Sequence, residues 1–250
     1  MIAAFSSRQL FIVVTFSIAA IFEIFCSFMV LKRDPHYQGN RFTSIAYLGL
    51  TIGLIISAMY VIITDRGLVE ILQRFINLFN IITVILLFLS AMYISEGDES
   101  LRSYRMIIIV VDLFFGLLLI VLPGVTVFPK DIAVPEGEQL IEWSTPYFIG
   151  AIVPLYLTLC LTCYYYGKVW RDIPSESPIK RACFLIMIGT AILGLGHFLL
   201  VIPLVFRRAI DEIILLGFTS IGSVGILISS LLIFLGYRTR ISEMSILSEV

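Results

Sequence analysis

Residues 182–206 read ACFLIMIGTAILGLGHFLLVIPLVF, and His197 is the only Asp, Glu, Lys, Arg or His among them. A stretch this long with no polar stripe does not suit the surface helix of a soluble domain, which is apolar along one face only. It meets the requirement of a hydrocarbon core about 30 Å thick, which a helix of about 20 apolar residues crosses. The same pattern recurs at Leu10–Leu31, Phe42–Thr64, Phe75–Ile94, Met106–Val127, Tyr147–Tyr166 and Ile213–Leu235. Short charged loops separate the stretches, and nothing is left over for a soluble domain. The expectation is an all-α, polytopic membrane protein. Residues 1–250 then form one domain, a bundle of seven transmembrane helices embedded in a lipid bilayer.

Composition agrees. Hydrophobic residues make up 59% of the chain and charged ones 14%, against roughly 25% charged in soluble domains. The net charge of −1 offers no electrostatic footprint for nucleic acid. The four cysteines, Cys26, Cys160, Cys163 and Cys183, all fall in or beside apolar stretches. A disulfide-stapled ectodomain is therefore excluded, and the Cys160/Cys163 spacing reads as small packing residues inside a helix. The first stretch is longer than the apolar run of a signal peptide and closes on Lys32-Arg33, so a permanent helix is expected there.

Basic residues concentrate in cytoplasmic loops when the loops are short. One side of the bundle gathers Lys32, Arg33, Arg41, Arg102, Arg105, Lys168, Arg171, Lys180, Arg181, Arg238 and Arg240; the other has Arg8, Arg66, Arg74, Lys130, Arg207 and Arg208. The expected orientation is amino terminus outside and carboxyl terminus inside, in the plasma membrane. Residues 236–250 then form a short cytoplasmic tail, in which Ile241, Met244, Leu247 and Val250 suit a helix lying along the inner leaflet. The longest loop, Phe128–Pro146, faces outside and carries Asp131, Glu136, Glu138 and Glu142 against Lys130. Its apolar patches, Ile132-Ala133-Val134 and Leu140-Ile141, flank Pro135 and Gly137, the pattern of a short hairpin over the bundle mouth.

The motifs of several seven-helix and intramembrane activities are missing. The last stretch has no lysine for a retinal Schiff base, and no Asn-Pro-x-x-Tyr. The two histidines, His36 and His197, fall on opposite sides of the membrane, so no metal site is expected. Gly222-Ser223-Val224-Gly225 lacks the pattern of a serine intramembrane protease, and no paired aspartyl motif surrounds Asp112. No catalytic residue and no cofactor is assigned, and the protein is not expected to be an enzyme.

Polar residues inside the bilayer are costly and mark function by default. Glu23 and Asp112 fall at similar depth in the inner half, without a Lys or Arg at that level. At least one is therefore expected to carry a proton. Either the two meet, or each bonds separately to a hydroxyl or carbonyl on a neighbouring helix. In the outer half, Arg74, Asn77 and Asn80 share one face of the third helix, at the level of His197 and of Thr219 and Ser223. Pro123, Pro154 and Pro203 free backbone carbonyls nearby. These residues are the candidate lining of a pocket open to the outside. Glycines cluster in the sixth stretch (Gly189, Gly194, Gly196) and the seventh (Gly217, Gly222, Gly225), where they permit close packing of the two helices or a homodimer seam.

Several short motifs run along the chain in order. Lys32-Arg33-Asp34-Pro35 leads into Asn40-Arg41-Phe42. Ser144-Thr145-Pro146-Tyr147-Phe148 opens the fifth helix, which continues through Tyr156-Leu157 to Tyr164-Tyr165-Tyr166. Lys180-Arg181-Ala182 enters the sixth, and Tyr237-Arg238 ends the seventh. The pattern resembles the seven-helix membrane sensor region at the amino terminus of bacterial and archaeal histidine kinases. The resemblance implies a sensor of a small-molecule or lipid-like ligand. No linker coiled coil, phosphoacceptor histidine or ATP-binding domain follows, so signalling is expected to pass through a separate protein. The alternatives are a secondary transporter or proton-coupled carrier using Glu23 and Asp112, and a membrane scaffold or assembly subunit.

Overall fold

The structure, a computed structural model, describes residues 7–60, 62–63, 65–96, 103–122, 124–128, 140–206 and 212–238. Among these residues the chain forms seven helices: α1 (Ser7–Arg33), α2 (Gln38–Tyr60), α3 (Arg66–Glu96), α4 (Ser103–Val121), α5 (Thr145–Asp172), α6 (Pro178–Phe206) and α7 (Glu212–Arg238). All but α4 are long and apolar enough to cross a membrane; the apolar part of α4, Met106–Val121, is shorter. Side chains such as Ile18, Ile21 and Phe28 of α1 and Ile107, Phe114 and Leu117 of α4 are exposed on the outside of the bundle. Apolar outer faces of this kind imply contact with lipid. The protein is a multi-pass membrane protein.

Local chemistry sets the helix ends. Asp34 Oδ1 accepts from the amides of His36 (3.1 Å) and Tyr37 (3.2 Å), turning the chain from α1 into α2. Asp65 Oδ1 accepts from Leu68 N at 2.8 Å, as a residue capping a helix start does. That bond explains why α3 begins at Arg66, nine residues before the apolar stretch at Phe75. Ser144 caps α5, accepting from Tyr147 N at 3.4 Å, with Pro146 in the first turn, where a missing N–H costs nothing.

Consecutive helices pack on one another, α1 also packs on α7, and α3 packs on α5. Because α3 touches α2, α4 and α5, it is the most enclosed helix, with buried residues from Val69 to Ile94. The tightest seam joins α6 and α7. A Cβ on Gly196 would lie 2.9 Å from the Gly222 carbonyl, one on Gly189 would lie 3.0 Å from the Ser229 carbonyl, and one on Gly236 would lie 2.8 Å from the Ala182 carbonyl. Gly189, Gly196, Gly222, Gly225 and Gly236 thus serve backbone approach of α6 and α7, whereas Gly194 faces Leu159 and Tyr156 of α5. Gly217 has nothing within 4 Å of that position and takes no part.

Two strands depart from the expected helix limits. Val125–Phe128 forms β1, antiparallel to β2 (Leu140–Trp143), with Val125 opposite Trp143 and Phe128 opposite Leu140. The fourth helix therefore ends at Val121, not Val127. Proline and glycine at 123–124 end the helix, and the β-branched Val125-Thr126-Val127 run suits a strand. Among the described residues the hairpin pairs Leu140-Ile141 with Phe128-Val127. Ile132-Ala133-Val134, on which part of the expected hairpin falls, the acidic loop tip, Pro123 and the tail from 239 onward lie outside the described residues. Ser144 N donates to Gly124 O at 2.7 Å, and a Cβ on Gly124 would come 2.4 Å from Tyr147 Cβ, so the base of the hairpin sits directly on the start of α5.

Candidate functional site

Helix α3 carries Gln73, Asn77 and Asn80 at intervals of four and three residues. At about 100° per residue these side chains fall within a stripe about 60° wide. The stripe lines a cavity of about 130 Å³ in the half of the bundle that holds the start of α1. All helices except α4 contribute to its wall, among them Phe16, Gly53, Leu155, His197 and Thr219. Pro203 also lies on the wall; Pro154 is buried on α5 but away from it.

Four of the six candidate pocket residues are thus gathered around one void: Asn77, Asn80, His197 and Thr219. Asn77 Nδ2 donates to the Tyr147 hydroxyl at 3.0 Å, which ties the stripe to the start of α5 beneath the hairpin. Asn80 Nδ2 lies 3.0 Å from His197 Nε2. An amide NH₂ can only donate, so Nε2 accepts and the ring proton of a neutral His197 sits on Nδ1. His197 Nδ1 and Gln73 Oε1 are buried and have no hydrogen-bond partner among the described residues.

The other two candidates lie elsewhere. Arg74 is one position, about 100°, round the helix from Gln73. Its Nη1 donates to Ile120 O at 3.0 Å, in the last turn of α4, where free carbonyls favour a cation. Ser223 donates back to Thr219 O of its own helix at 2.7 Å. Gln73, Ser57 and Thr83 are polar wall residues that the sequence reading passed over. Gln73 was obscured because it adjoins Arg74, before the apolar stretch begins, although the four-residue spacing to Asn77 carries the signal.

The two intramembrane carboxyls do not share a partner. Ser230 of α7 donates to Glu23 Oε1, and Thr158 of α5 donates to Asp112 Oδ2. Each acid is therefore bonded to a hydroxyl on another helix, and the two bonds belong to different helix pairs. Around Glu23 the polar contacts continue. Tyr47 OH donates to Ser230 O at 3.1 Å, and the Ser27 and Ser44 hydroxyls lie 2.8 Å apart.

Nearer the end of α7, the Tyr237 hydroxyl lies 2.5 Å from Ser90 Oγ and 2.6 Å from the Tyr166 hydroxyl. Thr43 Oγ1 donates to Ser90 Oγ at 2.9 Å, and Arg33 Nη1 donates to Tyr237 O at 3.0 Å. This network joins α1, α2, α3, α5 and α7, and its side chains other than Arg33 are buried. Sequence reading did not find it, although Tyr166 and Tyr237 stand in the quoted motifs. Outside the helices, burial and nearby phenols push the Tyr37 hydroxyl well above the usual tyrosine range.

Among the described residues no cluster of His, Cys, Asp and Glu could hold a metal ion. Cys163 donates weakly to Met187 O, at 3.6 Å, and Cys160 is exposed on the outside of α5. No protein-family model matches this chain, and no curated protein matches it either.

Proposed function

We propose that the protein is a receptor-like, seven-spanning sensor of the plasma membrane that binds a small ligand in the cavity between its helices and signals through a separate protein. The observation that carries this reading is the cavity itself: six helices meet around it, and its wall includes a buried amide oxygen without a hydrogen-bond partner among the described residues. A ligand held there lies among residues of six helices, and it shifts their packing to the extent that it binds one arrangement better than another. In this reading α4 is the remaining span, since its 19 residues reach about 28 Å as a helix. The asymmetry of basic residues orients the amino terminus, and with it the cavity, toward the outside. The motifs that resemble those of kinase sensor regions are in keeping with the same role.

A carrier would be expected to bring its coupling carboxyls to a common cavity. Glu23 and Asp112 instead belong to separate helix contacts, and neither lines the void. The sensor reading therefore stands ahead of the transporter reading.

The test compares two cysteine variants of the purified protein in nanodiscs. Gly53→Cys places a thiol on the cavity wall, and Thr43→Cys places one in the buried hydroxyl network. The small neutral reagent methyl methanethiosulfonate should modify the first much faster than the second. Equal, slow modification would show that the cavity is closed to solutes and would overturn the reading. Protein-dependent proton flux into proteoliposomes would favour the carrier instead. A cysteine at Glu138 that reacted only from the cytoplasm would reverse the orientation.

A further inference from the structure

We propose that the ligand of this cavity is a small uncharged amphiphile, with an apolar body about the size of benzene and a hydroxyl head. This rests on the reading of the cavity as a ligand site. The first ground is the charge of the wall. Among the described residues it contains no Asp, Glu, Lys or Arg, and its polar members are amides, hydroxyls and the neutral imidazole of His197. A charged ligand would enter without a counter-ion, and burying an unpaired charge is among the costliest steps in recognition. Arg74, which adjoins the wall residue Gln73 in the chain, donates to the Ile120 carbonyl and does not line the void.

The second ground is size. The void measures about 130 Å³. An apolar cavity of roughly 150 Å³ takes up benzene. A diacyl lipid is many times too large.

The third ground is the head group. Gln73 is 5% exposed, and its Oε1 lacks a donor among the described residues. A ligand hydroxyl is the donor that this acceptor lacks. The remaining wall, Ile12, Phe16, Leu54, Leu155, Leu159 and Leu193 among it, suits an apolar body. Aryl and short-chain alcohols combine these properties.

The test uses three probes of nearly equal shape, para-fluorobenzyl alcohol, para-fluorobenzylammonium and para-fluorobenzoate, read by fluorine NMR on the full chain in nanodiscs, with empty nanodiscs subtracted. The alcohol should show saturable binding that is lost in Gly53→Leu, which fills the void. Should that variant not fold, Ser57→Leu serves instead, because the Ser57 hydroxyl bonds to Gly53 O of its own helix, at 2.8 Å, and to no other helix among the described residues. The two ions should bind about 100-fold more weakly or worse, as follows if binding leaves their charge unpaired. Ions that bind as well as the alcohol, and are displaced by the same filling variant, would overturn the neutral-ligand inference while leaving the cavity reading intact. Benzoate alone binding would show that Arg74 turns inward, with the same consequence. No saturable binding of any probe while Gly53→Cys still reacts would also sink the inference alone. No binding together with no reaction at Gly53→Cys would remove both.

Discussion

The two halves of this bundle hold similar polar side chains and use them differently. In the half with the start of α1, amides and an imidazole stand around a void, with Gln73 Oε1 and His197 Nδ1 unpartnered among the described residues. In the half with the end of α7, hydroxyls of Thr43, Ser90, Tyr166 and Tyr237 bond to one another, and the atoms there that lack a partner among the described residues, Glu23 Oε2, Ser95 Oγ and Ser229 Oγ, do not line the cavity. Hydrogen bonds between membrane helices hold a bundle together when they close on themselves. Polar groups left beside a cavity are instead free to recognise something. The lesson is that an intramembrane polar residue is read by whether its neighbours already satisfy it, more than by its identity.

Backbone contact should give the largest contrast. A Cβ on Gly236 would meet Ile186 Cγ1 at 2.4 Å and the Ala182 carbonyl at 2.8 Å, whereas a Cβ on Gly53 has only Asn80 Oδ1 near it, at 3.5 Å. Gly236→Val should therefore push α7 away from α6 and lower stability by about 2–3 kcal/mol. Gly53→Ala should stay within about 0.5 kcal/mol. Thermal unfolding in detergent measures both. Similar losses in the two variants would mean that the cavity wall at Gly53 is as tightly packed as the α6–α7 seam, which runs through both halves.

Next in size is the loss of the hydroxyl that serves Glu23. Ser230→Ala removes the donor to a fully buried carboxyl whose Oε2 already lacks a partner among the described residues. The expected cost is about 1–3 kcal/mol. Ser57→Ala, on the cavity wall, loses one bond within its own helix and should cost a few tenths of a kcal/mol at most. An unchanged Ser230→Ala would show that the carboxyl finds another partner, and Glu23 would then no longer belong to the closed half.

How much of this was legible in the sequence depends on range. Seven apolar stretches announce seven helices because lipid contact removes the polar face that a soluble helix needs. The ends were harder. Charge at Arg66, Glu70 and Arg74 concealed the first two turns of α3, while Val125-Thr126-Val127 is apolar enough to pass for a helix end though it forms a strand. The level of the pocket residues follows from counting along each helix at about 1.5 Å per residue. The register of each face does not, and so Arg74 took the place that Gln73 holds. Partners across helices, such as Ser230 for Glu23 and Thr158 for Asp112, depend on which helices adjoin. A single sequence carries no record of that.

The smallest effect, and the most direct comparison of the halves, comes from removing one hydrogen bond in each. Tyr237→Phe deletes the hydroxyl that bonds Ser90 and Tyr166. Ser90 keeps Thr43 and the Gly39 carbonyl, at 2.9 and 3.0 Å, so the deficit falls mainly on the buried Tyr166 hydroxyl. Neither tyrosine lines the cavity, and the cost should be about 1 kcal/mol. Asn80→Ala deletes the donor to His197 Nε2, but here the cavity adjoins the loss. A water needs roughly 30 Å³ and some polar partners. The void of about 130 Å³ provides the room, and Asn77, Thr219 and His197 provide the partners. Water bonded to Nε2 should hold the cost below about 0.5 kcal/mol. The expected order is therefore Tyr237→Phe first and Asn80→Ala well behind, read as the shift of the unfolding midpoint in one detergent. An Asn80→Ala loss equal to or larger than that of Tyr237→Phe would mean that water does not enter, and that the Asn80–His197 pair is a structural tie like those at the other end.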